Sequence, residues 1–163
     1  MILLVHLLFG AAVGSMVNNI PLAIILAFWS HYFLDLLPHA EYTVGSIKKN
    51  KLKKALPELL KILLDFSLGI LLIFIFSKNY PVIYICAFFA ILPDGFSVIS
   101  NHFPNPDSKA IADPRWSRGK ILAIHNKLHL EKIHFLKNKK ISVFWRILSQ
   151  VTVVIISLFL LKN

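Results

Sequence analysis

Ser30-His31-Tyr32-Phe33-Leu34-Asp35-Leu36-Leu37-Pro38-His39 closes an apolar run that begins near Leu22. As a helix, this stretch puts His31 and Asp35 one turn apart on one face, about 6 Å along the axis. An imidazole and a carboxylate on a hydrocarbon-compatible helix are costly, and such residues mark functional sites by default. Asp65 and Asp94 repeat the anomaly in two further apolar runs. His39 falls about 12 Å from His31 on a straight helix. It reaches the same ion only if Pro38 turns the chain back, and otherwise serves a second one.

Those runs decide the class. Hydrophobic residues make up 56% of the 163 and mean hydropathy is +0.68, above that of ordinary soluble chains. The expectation is an all-α, polytopic membrane helical bundle forming a single membrane domain over 1–163. It has about five transmembrane helices, at 2–17, 22–37, 57–76, 82–99 and 143–161. An amphipathic helix on the cytoplasmic side, 120–136, is expected in addition. Gly10 and Gly14 have the GxxxG spacing of a close helix-packing face, so the N-terminal run reads as a retained helix and not a cleaved signal. Pro21 suits the first turn of the second helix, and Pro93 predicts a kink just before Asp94.

The net charge of +10 raises nucleic acid as a partner. The distribution of the cations argues instead for membrane lipid. Lys48, Lys49, Lys51, Lys53 and Lys54 crowd the loop 40–56. Lys109, Arg115, Arg118, Lys120, Lys127, Lys132, Lys137, Lys139 and Lys140 crowd 101–140. Excess Lys and Arg mark cytoplasmic loops facing anionic lipid, and no nucleic-acid motif accompanies them. In a five-span chain both basic loops fall on one side. The expected location is therefore the cytoplasmic (inner) membrane, with the N-terminus cytoplasmic and the C-terminus external. All seven histidines and the three intramembrane aspartates then converge on the cytoplasmic side.

Imidazole and carboxylate suit a divalent cation, Zn²⁺ first and Mn²⁺ or Fe²⁺ as alternatives. The lone Cys86 excludes a disulfide framework or a thiolate zinc site. His31, Asp35, Asp94 and the HxxxH pair His125 and His129 are the first-choice ligands, followed by His6, His39 and Asp65. That set is large enough for one or two ions. Asp65 and Asp94 are the candidate catalytic carboxylates, although Asp65 also has a structural reading, paired with Lys61 or a backbone group. His102 and His134 have plain readings as a helix cap and a solvated loop residue. No Gly-x-Ser-x-Gly elbow supports Ser30, Ser97 or Ser100 as a nucleophile.

Ser-His-x-x-x-Asp at 30–35 resembles a helix motif of the bacterial inner-membrane family of membrane-bound metal-dependent hydrolases. Leu92-Pro93-Asp94 is similar to that family's Leu-Pro-Asp element, and His6 with Gly10 to its first-helix His-x-x-x-Gly. His125-Asn126-Lys127-Leu128-His129 resembles its paired-His segment with a shorter spacing. The motif order differs, and Gly95-Phe96 stands where a second acid is expected. The HxxxD pattern also looks like that of the zinc-dependent phospholipase C superfamily. The resemblance implies hydrolysis by a metal-activated water at the cytoplasmic leaflet, on an amphiphilic, phospholipid-like or phosphoester substrate. Arg115, Arg118, Lys120 and Lys127 would then be the candidates for holding its phosphate. The competing classes are a non-enzymatic metal or proton transporter, since intramembrane Asp and His also build relays, and a metal-stabilised scaffold subunit.

Overall fold

The computed structural model describes residues 2–40, 52–102 and 141–163, and among them it is all-helical. The helices are α1 (Leu3–Met16), α2 (Ile20–Asp35), α3 (Leu52–Phe76), α4 (Pro81–His102) and α5 (Val143–Lys162). The expected amphipathic helix at 120–136 lies outside the described residues.

α1 is the central helix and packs against each of the other four. It is apolar on every side, which suits a helix with no outward face. Val5, Leu7, Leu8, Ala11 and Ala12 are buried, and Leu7, Leu8, Ala11 and Ala12 share a core with Ile73 of α3, Ile83 and Ala87 of α4, and Leu161 of α5. Gly10 and Gly14 fulfil the close-packing expectation against α4. A methyl on Gly10 would overlap the Ala90 Cβ and lie 2.8 Å from the Cys86 carbonyl oxygen, and one on Gly14 would lie 2.9 Å from the Cys86 Cβ. Only hydrogen at these two positions allows the backbones to approach so closely.

Paired positions fix the helix directions. Leu4 meets Asp65, Gly69 faces Leu7, and Gly10 faces Ala90 and Cys86. Ser149 and Gln150 meet Pro38 and Ala40. Hence α1, α3 and α5 run one way and α2 and α4 the other. The helix ends that flank 41–51 and 103–140, the basic loops of the sequence, all lie at one end of the bundle.

Local signals set the shorter boundaries. The Asn19 side chain caps α2 by accepting the Leu22 N–H at 3.0 Å, with Pro21 in the first turn. At the other end Pro38 disfavours helix at Leu37. The chain leaves α2 through tightened turns, Leu36 N–H to Phe33 O and Leu37 N–H to Leu34 O, and the helix stops at Asp35 and not at residue 37. Between α3 and α4, Asn79 adopts a left-handed conformation (φ 57°), which asparagine tolerates, and donates its amide to Phe74 O.

The expectation of five full spans needs correction. Among the described residues only Leu56–Phe76 and Val143–Lys162 are long and apolar enough to cross a membrane. α1 has 14 residues, α2 has 16, and the apolar part of α4 is Pro81–Phe96, all short of the ~20 that a span requires. The reason is architectural. α1 begins and α2 ends at one level, where His6, His31 and Asp35 sit, whereas α3, α4 and α5 run about 10–20 Å past it. The two long helices bury few of their side chains. Leu60, Leu64, Phe74, Ile147, Ile155 and Phe159 are exposed along them.

Substituting Gly10 tests the packing. Gly10→Ala must displace backbone on α4 and is expected to cost about 1–3 kcal/mol. Gly95→Ala, with no atom within 4 Å of the new methyl, should raise stability by about 0.4–1 kcal/mol. Thermal unfolding in detergent distinguishes them, and equal midpoints would rule out the close α1–α4 contact.

Candidate metal centre

Three helices bring four of the expected ligands together. His6 comes from the first turns of α1, His31 and Asp35 from the last turns of α2, and Asp94 from α4 immediately after Pro93. His6 Nε2 lies 3.4 Å from Asp35 Oδ1, His31 Nε2 lies 3.2 Å from Asp35 Oδ2, and His31 Nε2 lies 3.7 Å from Asp94 Oδ1. Ligand atoms of His6, His31 and Asp94 all fall within 4.8 Å of one another. Nitrogen and oxygen donors about 2.0–2.1 Å from a tetrahedral ion sit about 3.3 Å apart, the spacing seen around Asp35.

Hydrogen bonds orient the rings. His31 Nδ1 is 3.0 Å from Ala90 O. A carbonyl only accepts, so Nδ1 carries the proton and Nε2 is turned toward the carboxylates. Pro93 contributes by removing an amide from α4, which opens the hydrogen-bond ladder next to Ala90. His39 repeats the arrangement, with Nδ1 donating to Leu37 O at 2.7 Å and Nε2 lying 3.9 Å from Asp35 Oδ1. The contact is with Asp35, four residues earlier, in a segment that has left the helix. This segment is held from α5: the Ser149 hydroxyl donates to Pro38 O, and the buried Gln150 amide donates to Ala40 O at 3.0 Å. Neither Ser149 nor Gln150 stands out in sequence, where each is one more small polar residue in an apolar helix.

Chemically the cluster asks for a cation. His6 is fully buried, and neither ring nitrogen has a hydrogen-bond partner among the described residues. An unsatisfied buried polar group costs about 1–3 kcal/mol, and a cation between His6 Nε2 and the Asp35 carboxylate 3.4 Å away would supply that nitrogen's missing partner. The Asp35 side chain is 1% exposed and is ringed by imidazole nitrogens from His6, His31 and His39. Neutral imidazoles around a carboxylate suit a divalent metal without any thiolate. The His6/His31/Asp94 group can therefore hold a metal ion, with Asp35 packed against both imidazoles.

The remaining expected residues separate into two groups. Asp65 Oδ2 accepts the Leu4 N–H at 2.9 Å, capping the start of α1, whose Ile2 cap position supplies no side-chain acceptor. A carboxylate there also meets the positive end of the α1 dipole. His125, His129, Arg115, Arg118, Lys120 and Lys127 lie outside the described residues. His102 ends α4. Comparison with family models, with curated proteins and with solved structures returns no match.

Asp65→Leu separates capping from catalysis. Loss of the cap is expected to lower stability by about 1–2 kcal/mol with metal affinity unchanged. A fall in metal affinity of tenfold or more in a competition titration would place Asp65 in the centre instead.

Proposed function

We propose that this chain is a membrane-embedded, metal-dependent hydrolase acting at the cytoplasmic leaflet on an amphiphilic substrate with a phosphoester headgroup. The observation that carries this reading is the gradient of exposure across the cluster. The side chains of His6, His31 and Asp35 are sealed at 0–1%, whereas that of Asp94 is 28% exposed. Structural metal sites are closed on all sides, and catalytic ones keep one position open. Gly95, beside Asp94, has no neighbouring atom within 4 Å of where a Cβ would be, so the open side is also uncrowded.

When bound, a divalent metal such as Zn²⁺ would lower the pKa of a water and polarise a phosphoryl oxygen. His6 and His31 would each present Nε2 to bound metal, with Ala90 O keeping the His31 ring in the required tautomer. Asp35 supplies the buried negative charge that makes a dication affordable so far from water. Asp94, at the open face, is the carboxylate a substrate meets first and is assigned proton transfer to or from the reacting group. The resemblance of Ser30–Asp35, Leu92–Asp94 and His6–Gly10 to the metal-dependent hydrolase motifs supports the same chemistry.

Lipid surroundings follow from the exterior. Trp29, Phe33, Phe144 and Trp145 are exposed on either side of the level of the cluster, as aromatic residues are at a membrane–water boundary. The short helices α1 and α2, and the short apolar part of α4, then pack with the two helices long and apolar enough to cross. The basic loops assign this end to the cytoplasm and leave Lys78, between α3 and α4, on the external side.

Zinc- or manganese-loaded protein in detergent is expected to hydrolyse a chromogenic phosphodiester, and Asp94→Asn to reduce the rate by at least a hundredfold with helix content intact. Intact phosphodiester, phosphomonoester and ester probes with a fully loaded protein would refute the hydrolase reading. Alkaline phosphatase fused after Asn163 should be active outside the cell. An inactive fusion with an active cytoplasmic reporter would reverse the orientation.

A further inference from the structure

The donor atoms are arranged around Asp35 in two sets. Oδ1 faces His6 Nε2 at 3.4 Å and His39 Nε2 at 3.9 Å. Oδ2 faces His31 Nε2 at 3.2 Å, and that nitrogen in turn lies 3.7 Å from Asp94 Oδ1. The two buried imidazoles are stacked, with centroids 4.2 Å apart and planes only 25° from parallel.

Five side chains supply donors here, His6, His31, His39, Asp35 and Asp94, and a tetrahedral ion takes four. A carboxylate with an imidazole nitrogen near each of its oxygens is placed to join two ions, which lie about 3.5–4 Å apart in two-metal sites.

We infer that the cluster holds two divalent cations bridged by the Asp35 carboxylate. His6 and His39 complete the Oδ1 side, and His31 and Asp94 complete the Oδ2 side. The inference rests on the metal-centre reading above and adds the number of ions and the ligands of each. It also gives His39 a role: the segment after α2, tied to α5 through Ser149 and Gln150, holds a third imidazole 3.9 Å from Asp35 Oδ1. The Oδ1 set is the buried one, since the side chains of His6 and His39 are 0% and 5% exposed, and the Oδ2 set carries the open face at Asp94. In a phosphoester hydrolase the second ion would face the substrate and the first would hold charge behind it.

The full chain in detergent, equilibrated with Mn²⁺ and desalted, is expected to retain two ions per chain by elemental analysis. Its electron paramagnetic resonance spectrum should show exchange coupling between the two. His39→Ala lies outside the helices and should reduce the content from two to one, replacing the coupled signal with the six lines of isolated Mn²⁺. Asp35→Asn should abolish the coupling, with helix content checked by circular dichroism. One ion per chain with a six-line spectrum in the unaltered protein would overturn the two-ion inference and leave the metal centre standing. Retention of both ions by His39→Ala would remove His39 from the site. No bound ion would overturn the metal reading itself. Two coupled ions without hydrolysis of any probe would sink only the proposed reaction.

Discussion

The approach of α1 to α4 is the contact on which the centre depends. Gly10 and Gly14 let the two backbones come together over Cys86, Ala87 and Ala90. That contact places His6 beside His31, and it places the Ala90 carbonyl where His31 can donate to it. A methyl group at Gly10 acts directly on Ala90, so packing and ring orientation share one residue. Between two apolar helix faces, such close van der Waals contact between small residues fixes the register.

The polar interior follows from that register. His6, His31 and Asp35 are buried in a bundle whose surface is covered with Leu, Ile and Phe side chains. Removing such groups from water is costly, and the cost is recovered only if each finds a partner of opposite charge or complementary hydrogen bonding. Asp35 stands at the centre because its two oxygens are the only buried anionic atoms that the described imidazoles share. Asp94 differs because Pro93 and Gly95 flank it with little side-chain cover, which leaves the acid at the edge of the cluster.

Helix length follows the site. α2 stops at the depth of the histidines while α3, α4 and α5 continue past it. That leaves His31 and Asp35 in the last turns of a helix, with His39, four residues beyond Asp35, against the same carboxylate. The capping of α1 by Asp65 belongs to the same arrangement, because a helix that starts inside the bundle needs a protein acceptor for its first amides.

Periodicity and composition determined much of this in advance. The i, i+4 spacing of His31 and Asp35, the GxxxG face of α1, the all-helical class and the place of Pro21 in the first turn of α2 depend on neighbours a few residues away. Local backbone geometry carries those across any fold. Asp94 and His6 were legible as anomalies, since ionisable groups in apolar runs stand out wherever they end up. Only the tertiary structure decided which anomalies meet. Asp65 and Asp94 read alike in sequence, yet one accepts a backbone amide of α1 and the other joins the histidines. His39, four residues beyond Asp35, lies against the same carboxylate, and only the tertiary structure shows that hydrogen bonds from Ser149 and Gln150, more than a hundred residues later, hold the segment that carries it. The length of α2 belongs here as well. A hydrophobic run records what lipid or core will tolerate, whereas where a helix stops is set by what lies beside its end.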